Sequence, residues 1–379
     1  MSKDIVIYGV GDVGPCRDNL DSIFDHVRHV IKEGDISFCQ LEPVLTDRGT
    51  PLPQARLTCS SSPEAAQALK NAGFNVVSFA TNHCMDWGRE GFYDTLDALK
   101  SAGLNQVGAG RNLDEARKPV IMDVNGTRIA FLAYCSILPQ DYWATERRQG
   151  CAPLRAYTVY EQIEHDQPGT PCRIHSYPHR EDMKNMLEDI KKAKENADIV
   201  VLSVHWGIHF KEAEIAEYQR DYAYAAIDNG VDLILGHHAH ILKPIEVYKG
   251  KAIFYSLGNF AMEEIGNMKR DLAVYGGDHA SSKSFKEMKN IAPKWKDSNR
   301  SFPPDSYKSM IAKCTISENK IKTVSYLPVD IPEDCAAVVL DKNDIKFKEV
   351  NDYVEHITRT EKMDTIFEVK GNEVFIKLD

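Results

Sequence analysis

The sequence predicts a mixed α/β fold built on sheets and interrupted by two irregular excursions. Short apolar runs of strand length alternate with amphipathic helical patterns as far as about residue 260. Polar, turn-rich stretches break that pattern at about 138–180 and again after Phe260. No internal repeat or low-complexity tract is apparent.

The elements follow in order. "DIVIYGVG" (4–11) reads as a strand, with a helical stretch near "NLDSIFDHVRHVIKEG". "DISFCQLE" (35–42) is the second strand. "PEAAQALKNAG" (63–73) is a short helix stopped by glycine that leads into "FNVVSFATN". "GREGFYDTLDALKSAG" (88–103) is a further helix with a glycine stop. "PVIMDV" and "TRIAFLAYCS" flank Asn125-Gly126 and read as a hairpin. Beyond the first excursion, "EDMKNMLEDIKKAKENA" is a helix feeding the strand "DIVVLSVH" (198–205). "EYQRDYAYAAIDNG" is a helix, "VDLILGHH" a strand, and "ILKPIEVYKGKAIFYSLGNF" a β-pair turning at Lys249-Gly250. "YKSMIAKCTISENKIKTVSYLPVDI" is a meander around Glu318-Asn319, and an α/β closing piece ends the chain. The expected organisation is a core over 1–262, containing the 138–180 insertion, then a second insertion over 263–306. Residues 307–379 are expected to complete the core and close it.

The composition, 43% hydrophobic and 27% charged over 379 residues, is that of a soluble globular protein. A net charge of -10 without a basic stripe argues against nucleic-acid binding and suits a protein that holds cations. The first residues carry no basic segment followed by a secretory apolar core, and no apolar run approaches the ~18 residues of a membrane span. Nine cysteines, an odd number without a CxxC pair, suit reduced structural thiols. Cytoplasmic location and no membrane association are therefore expected, with self-association left open.

The informative feature is what stands at the strand ends. Five apolar runs finish in oxygen or imidazole donors: Asp12, Glu42, Asn82 with His83, His205, and His237, His238 and His240 of "GHHAH". In α/β architectures, sites form where the carboxyl ends of neighbouring strands converge. Each donor has a structural alternative. Asp12 after Gly11 could cap a turn, Glu42 before Pro43 could be an exposed strand end, and a lone His205 could be a packed histidine. Three imidazoles within four residues are harder to explain that way, and the coincidence at five ends favours a shared centre. A mixed set of carboxylates, amide and imidazoles without thiolates suits manganese, iron, zinc or magnesium rather than a cysteine-zinc site. Its size suggests two divalent ions sharing a bridging carboxylate, able to deprotonate a water between them.

Cys84 and Cys135 lie close to these ends, and a thiol nucleophile paired with His83 is a minor alternative. The glycines of "GAGRN" (108–112) do not form a dinucleotide fingerprint, and Asp12 interrupts a phosphate cradle in "IVIYGVGDVG".

The ordered motifs "GVGDVGPCR", "CQLEPVLTDRG", "VVSFATNHCMDWGREGFYDTLDALKSAGLNQVGAGRNLDEA", "VVLSVHWG" and "GHHAHILKPIEVYKGKAIFYSLGNF" resemble the CapA family, named for poly-γ-glutamate capsule synthesis. That family looks like a branch of the calcineurin-like metallophosphoesterases. The resemblance covers residues 5–260 and implies a four-layer α/β/β/α sandwich with a dinuclear centre. It implies Asp12 and Glu42 as carboxylate ligands, one of them bridging, with Asn82 on the second ion. His205 and the "GHHAH" histidines would complete the shells. The choice between His237 and His238 stays open, and the two-residue spacing of His238 and His240 favours that pair on one side of an extended segment. His83 would not bind metal but would face the substrate, as general acid or anion stabiliser.

Two departures stand out. The Asp-x-His of the phosphoesterases is "DVG" here, which leaves Gly14 where a histidine is usual, and Glu42 replaces the aspartate of the GDxxD motif. Many members are exported or membrane-anchored, unlike the expectation for this chain.

The reading implied is a hydrolase that cleaves a phosphoester, amide or ester bond of a small or peptide-like anionic substrate. A metal-bridging hydroxide would attack while His83 protonates the leaving group. Asp86, three residues on, would fix the His83 tautomer. Arg17 and Arg111 are candidates for a substrate anion, and Trp206 for a substrate contact beside His205. Tyr142, Trp143 and Trp295 are candidate wall residues from the excursions. Competing readings are carbanion chemistry such as epimerisation, and an accessory factor for a γ-glutamyl polymer.

Overall fold

A computed structural model describes residues 4–55, 58–263, 300 and 302–379. Among the described residues two large sheets lie face to face. The first has ten strands, whose main path runs Phe367–Lys370, Glu373–Ile376, Lys320–Asp330, Lys308–Ser317, Ile5–Gly14, Ile36–Leu41, Val76–Ser78, Asn105–Val107. Asn259–Met262 adds a parallel partner to Ile5–Gly14, and Val338–Val339 pairs with Lys320–Asp330. The second has six strands in the order Ile245–Tyr248, Lys251–Phe254, Leu233–His237, Ile199–His205, Thr127–Cys135, Val120–Val124. Its four central strands are parallel, and the outer two are antiparallel hairpin partners.

Period-two alternation explains why the central strands are apolar on both faces. In the six-stranded sheet Ile129, Phe131, Ile199, Val201, Leu233 and Leu235 enter the core between the sheets. Their neighbours Ala130, Leu132, Val200, Leu202 and Ile234 pack in a second core with Met186, Ile190, Tyr222 and Ala226 of the helices Arg180–Asn196 and Glu217–Asp228. Burial of each large aliphatic side chain contributes about 1.5–3 kcal/mol. Across the inter-sheet core Phe38 stacks on Phe131 with centroids 5.9 Å apart. Helices Ala65–Ala72 and Gly88–Ser101 cover the other face of the ten-stranded sheet, which completes the four-layer α/β/β/α sandwich expected. Helix Ile345–Thr360 packs on both Lys320–Asp330 and Ile245–Tyr248 at one end of the sandwich.

Turn chemistry follows the sequence. Asn125 and Gly126, Lys249 and Gly250, and Glu318 and Asn319 all take positive φ at their hairpin tips. Gly73 ends the helix Ala65–Ala72 at φ 111°. The stretch 19–34 departs from the helix predicted for it, since it forms a 3-10 turn at Leu20–Phe24 and a single helical turn at Arg28–Ile31. Its buried Ile23, Phe24, Val27, Val30 and Ile31 still face the core, although the winding is broken between the two turns.

Within 138–180 the chain forms the short strand Gly150–Cys151 and an antiparallel hairpin, Ala156–Gln162 with Cys172–Pro178. Most of the 263–306 stretch, including Trp295, lies outside the described residues.

Candidate metal centre

Asp12 does not end its strand, as the sequence suggested, but sits two residues inside it at an irregularity. The register of Ile5–Gly14 shifts on both sides of the ladder at this point, and such bulges re-aim side chains beside sites. Gly11 makes the approach possible: a Cβ there would lie 1.9 Å from the Gly258 carbonyl oxygen. Asp12 N–H donates to that same carbonyl at 3.0 Å. At Gly14, where the resemblance leads one to expect a histidine, a Cβ would meet Met262 Sδ at 2.7 Å and Pro43 Cδ at 3.2 Å. The space is filled, so no side chain fits there without displacing Met262.

Four other strand ends deliver their donors to Asp12. His205 and His237 share the parity of Val201 and Leu235, so both point between the sheets. Asp12 Oδ1 lies 3.6 Å from His237 Nδ1, and Oδ2 lies 3.5 Å from His240 Nδ1. Glu42 Oε2 is 3.7 Å from His205 Nε2, and Oε1 is 3.9 Å from His240 Nε2. Asn82 Oδ1 lies 2.6 Å from His205 Nε2 and 3.1 Å from His238 Nδ1. Donor atoms of Asp12, Glu42 and His205 all fall within 4.8 Å of one another.

His237 and His238 both belong to the cluster, on opposite sides of it. His238 and His240 do not share one side of an extended segment, as their spacing suggested. His238 has φ 84° and His240 φ 54°, so the chain turns twice through the left-handed region. That conformation costs about 1–3 kcal/mol per residue and is typical of sites whose surroundings enforce it.

The cluster is arranged for cations. Asp12 and Glu42 are fully buried, and Glu42 has no hydrogen-bond partner on either carboxylate oxygen among the described residues. Asp12 Oδ1 and both His237 nitrogens are in the same condition. Left without a cation, burial pushes both carboxyls up: Glu42 to about 7, and Asp12 well above its usual range with the Glu42 charge adding to the effect. Burial holds the imidazoles neutral, with His237 down to about 3 and His240 to about 4. His205 and His238 are lowered further by desolvation together with the surrounding rings. Neutral imidazoles present lone pairs, and a divalent cation inverts the penalty on the carboxylates. The donor set therefore fits a metal centre.

"ATNHCMDWG" folds as consecutive turns between the strand Val76–Ser78 and the helix Gly88–Ser101. His83 Nδ1 meets Asp86 Oδ2 at 2.5 Å, and Nε2 lies 3.6 Å from Glu42 Oε1. His83 is 16% exposed against 0% for Glu42, so it stands at the solvent side of the cluster.

Two residues of the centre escaped the sequence reading. Asn259 is paired in register with Asp12, and its Oδ1 lies 2.7 Å from His240 Nδ1, which turns Nε2 toward Glu42. The Gly-Asn of "SLGNF" at a strand start was the available signal. The second is His209, whose ring lies 3.9 Å from His238 and 5.4 Å from His240 between centroids. Its signal was a further imidazole four residues after His205.

Several expectations are corrected. Trp206 is fully buried on the helix-facing side, stacked on Tyr255, with Nε1–H donating to the Tyr255 carbonyl at 3.0 Å. With His205 facing inward, its neighbour must face outward, so Trp206 cannot contact substrate. Arg17 is committed to Glu263 at 2.6 Å, with further bonds to Ser22 and the Asp334 carbonyl, so its charge is already matched. Arg111 lies on a separate surface groove of about 390 Å³ with Lys100 and Lys118, its guanidinium over the Tyr93 ring. Tyr142 is fully buried and no wall, and Trp143 lies under the guanidinium groups of Arg148 and Arg155. Cys84 and Cys135 are buried, and desolvation raises both thiols well above the ordinary value, which leaves them protonated rather than nucleophilic.

Fold and site together define a layered α/β protein with a buried carboxylate–imidazole centre suited to divalent metal. The chain belongs to the bacterial capsule synthesis protein PGA_cap family, whose description matches residues 4–264. It is 33% identical over 261 residues to the capsule biosynthesis protein CapA of Bacillus anthracis, covering 68% of this chain and 58% of that protein. It is 32% identical over 260 residues to the PGA biosynthesis protein CapA of Bacillus subtilis (strain 168), covering 68% and 61%. The match thus spans about six-tenths of those relatives' length. Among solved structures, the calcineurin-like phosphoesterase YfkN of Bacillus subtilis aligns over 95% of this chain and 99% of its own, with TM-score 0.43 and 13% identity. A hypothetical protein from Thermus thermophilus aligns over 86% and 100%, with TM-score 0.44 and 16% identity. Among the described residues no helix is long and apolar enough to cross a membrane.

Proposed function

We propose that the protein is a metal-dependent hydrolase that cleaves a phosphoester, amide or ester bond of an anionic substrate. The observation that carries this reading is Glu42, a fully buried carboxylate with both oxygens unpartnered among the described residues, facing His205 and His240. Asp12 with His237 and His240 would hold one divalent ion, and Asn82 with His205 and His238 a second. Glu42 reaches both groups. Such ions supply Lewis acidity, which acidifies water and polarises the bond under attack. Manganese, iron or zinc suits this nitrogen-rich set better than magnesium.

The chain's own residues do the rest. Asn259 orients the His240 ring through Nδ1. His83, at the exposed side of the cluster, presents Nε2 as the proton donor for a leaving group, while Asp86 accepts from Nδ1. The names of the Bacillus relatives support a γ-linked glutamyl polymer, or an anionic piece of one, as the substrate class.

Metal analysis of the purified chain tests the centre: about two equivalents are expected, falling below about one in Asp12→Asn and His240→Ala. A screen of chromogenic phosphoesters and γ-glutamyl amides in deuterated solvent tests the reaction. Cleavage that requires metal and His83 supports hydrolysis. Deuterium uptake at carbon without cleavage replaces it with carbanion chemistry, and polymer binding without turnover replaces it with an accessory role.

A further inference from the structure

The His83–Asp86 pair has a third member, delivered from 56 residues away. Tyr142 O–H donates to Asp86 Oδ1 at 2.8 Å. Asp86 Oδ2 accepts from Cys59 N–H at 2.9 Å and meets His83 Nδ1 at 2.5 Å. Asp86 is 2% exposed and Tyr142 fully buried, so water does not compete for either oxygen. Burial and the adjacent Asp86 charge push the phenol pKa up, and the hydroxyl remains a donor.

The phenol is itself held rigidly. The Tyr142 carbonyl accepts Cys151 N–H at 3.0 Å and the thiols of Cys84 and Cys151, each at 3.6 Å. Gly150 allows this approach, because a Cβ there would lie 2.5 Å from the Tyr142 carbonyl oxygen. With one donor fixed on each carboxylate oxygen, Asp86 can present only an acceptor to His83. Nδ1 then carries the proton, and Nε2 is the atom left to face Glu42 and a substrate.

We propose that Tyr142 is a positioning residue: through Asp86 it locks His83 into the Nδ1–H form with Nε2 aimed at the centre. The proposal rests on His83 as the proton donor: with Nδ1–H kept on Asp86, Nε2 takes a proton from solvent and passes that same proton to the leaving group, and Tyr142 holds Asp86 in place for it. Without the phenol O–H, Asp86 Oδ1 is buried and unpartnered, and the carboxyl is free to turn or take up a proton. His83 then loses the partner that selects its tautomer and ring orientation.

The test uses the full chain, zinc-loaded and labelled with 15N-histidine, at one fixed pH, with the His83 signal assigned by His83→Gln. Long-range proton–nitrogen correlation reads which ring nitrogen is protonated. Wild type is expected to show the Nδ1–H form alone, and Tyr142→Phe a mixture. Cys84→Ala removes one thiol bond to the Tyr142 carbonyl but leaves the Cys151 N–H bond and the phenol hydroxyl in place, and should keep the wild-type tautomer. On whichever substrate the screen identifies, Tyr142→Phe should lower kcat about 10–100-fold with KM and bound metal unchanged. A wild-type tautomer in Tyr142→Phe, or an equal change in Cys84→Ala, overturns the proposal. If no substrate is cleaved, hydrolysis fails while the tautomer measurement still decides the positioning role of Tyr142.

Discussion

Replacing Glu42 by Gln should make the metal-free protein more stable and abolish its response to metal. The Glu42 carboxyl is pushed from 4.5 to about 7, chiefly by desolvation; His83 and Thr81 oppose that rise and Asp86 adds to it. One unit corresponds to about 1.4 kcal/mol, so ionised Glu42 costs the metal-free fold roughly 3 kcal/mol. The sign follows from a folded pKa above the unfolded one. The cost is absent below about pH 4, grows as pH rises, and is complete above about pH 7. Urea unfolding at pH 8 with a chelator should therefore show Glu42→Gln as more stable than wild type, by up to about 3 kcal/mol. With manganese at about a thousand times its Kd, wild type should gain about 4 kcal/mol and the variant little. The two curves should exchange order. A variant that is less stable with chelator and still responds to manganese would refute the reasoning, because Glu42 would then be neither frustrated nor a ligand.

Two further predictions concern the buried side chains of Trp206 and Lys243. Trp206→Ala should lower stability by about 3–5 kcal/mol through lost packing on Tyr255; a raised KM at unchanged stability, read by denaturation and kinetics together, would restore Trp206 as a substrate contact. Lys243 is buried with its amine donating to the Lys211 and Glu214 carbonyls, and desolvation lowers its pKa from 10.5 to about 7. The unfolded chain binds the extra proton between those values, so this group makes stability rise by about 2 kcal/mol from pH 7 to 9. Lys243→Met should flatten that rise, and an unchanged slope in pH-dependent unfolding would show that the lysine is charged throughout.

The donors of the centre were legible because each is tied to a local signal. Asp12, Glu42, Asn82, His205 and the "GHHAH" histidines terminate or nearly terminate apolar runs, and parallel strands bring such ends together by construction. Asp86 was legible for a similar reason, since three residues of consecutive turns return its side chain to His83. Trp206 should have been legible as well: once His205 faces inward, period two sends the next residue outward. Arg17 and Arg111 were not, because an arginine carries no sign in sequence of whether Glu263 or a substrate will neutralise it.

Alternation and the strand-end donors thus determined, from sequence alone, a mixed α/β protein built on sheets with a carboxylate–imidazole centre, and the family resemblance implied its four layers. Tertiary structure alone decided how that centre is completed. Asn259 reaches His240 only because its strand lies in register with Asp12, and Tyr142 reaches Asp86 only because Gly150–Cys151 anchors its backbone. The bulge at Asp12 and the two left-handed histidines set which atoms face inward, and Met262 occupies the space beside Gly14. Local pattern fixes the face on which a side chain lies. Which distant group meets it depends on register and on the packing of one sheet against another, and no spacing along the chain encodes that.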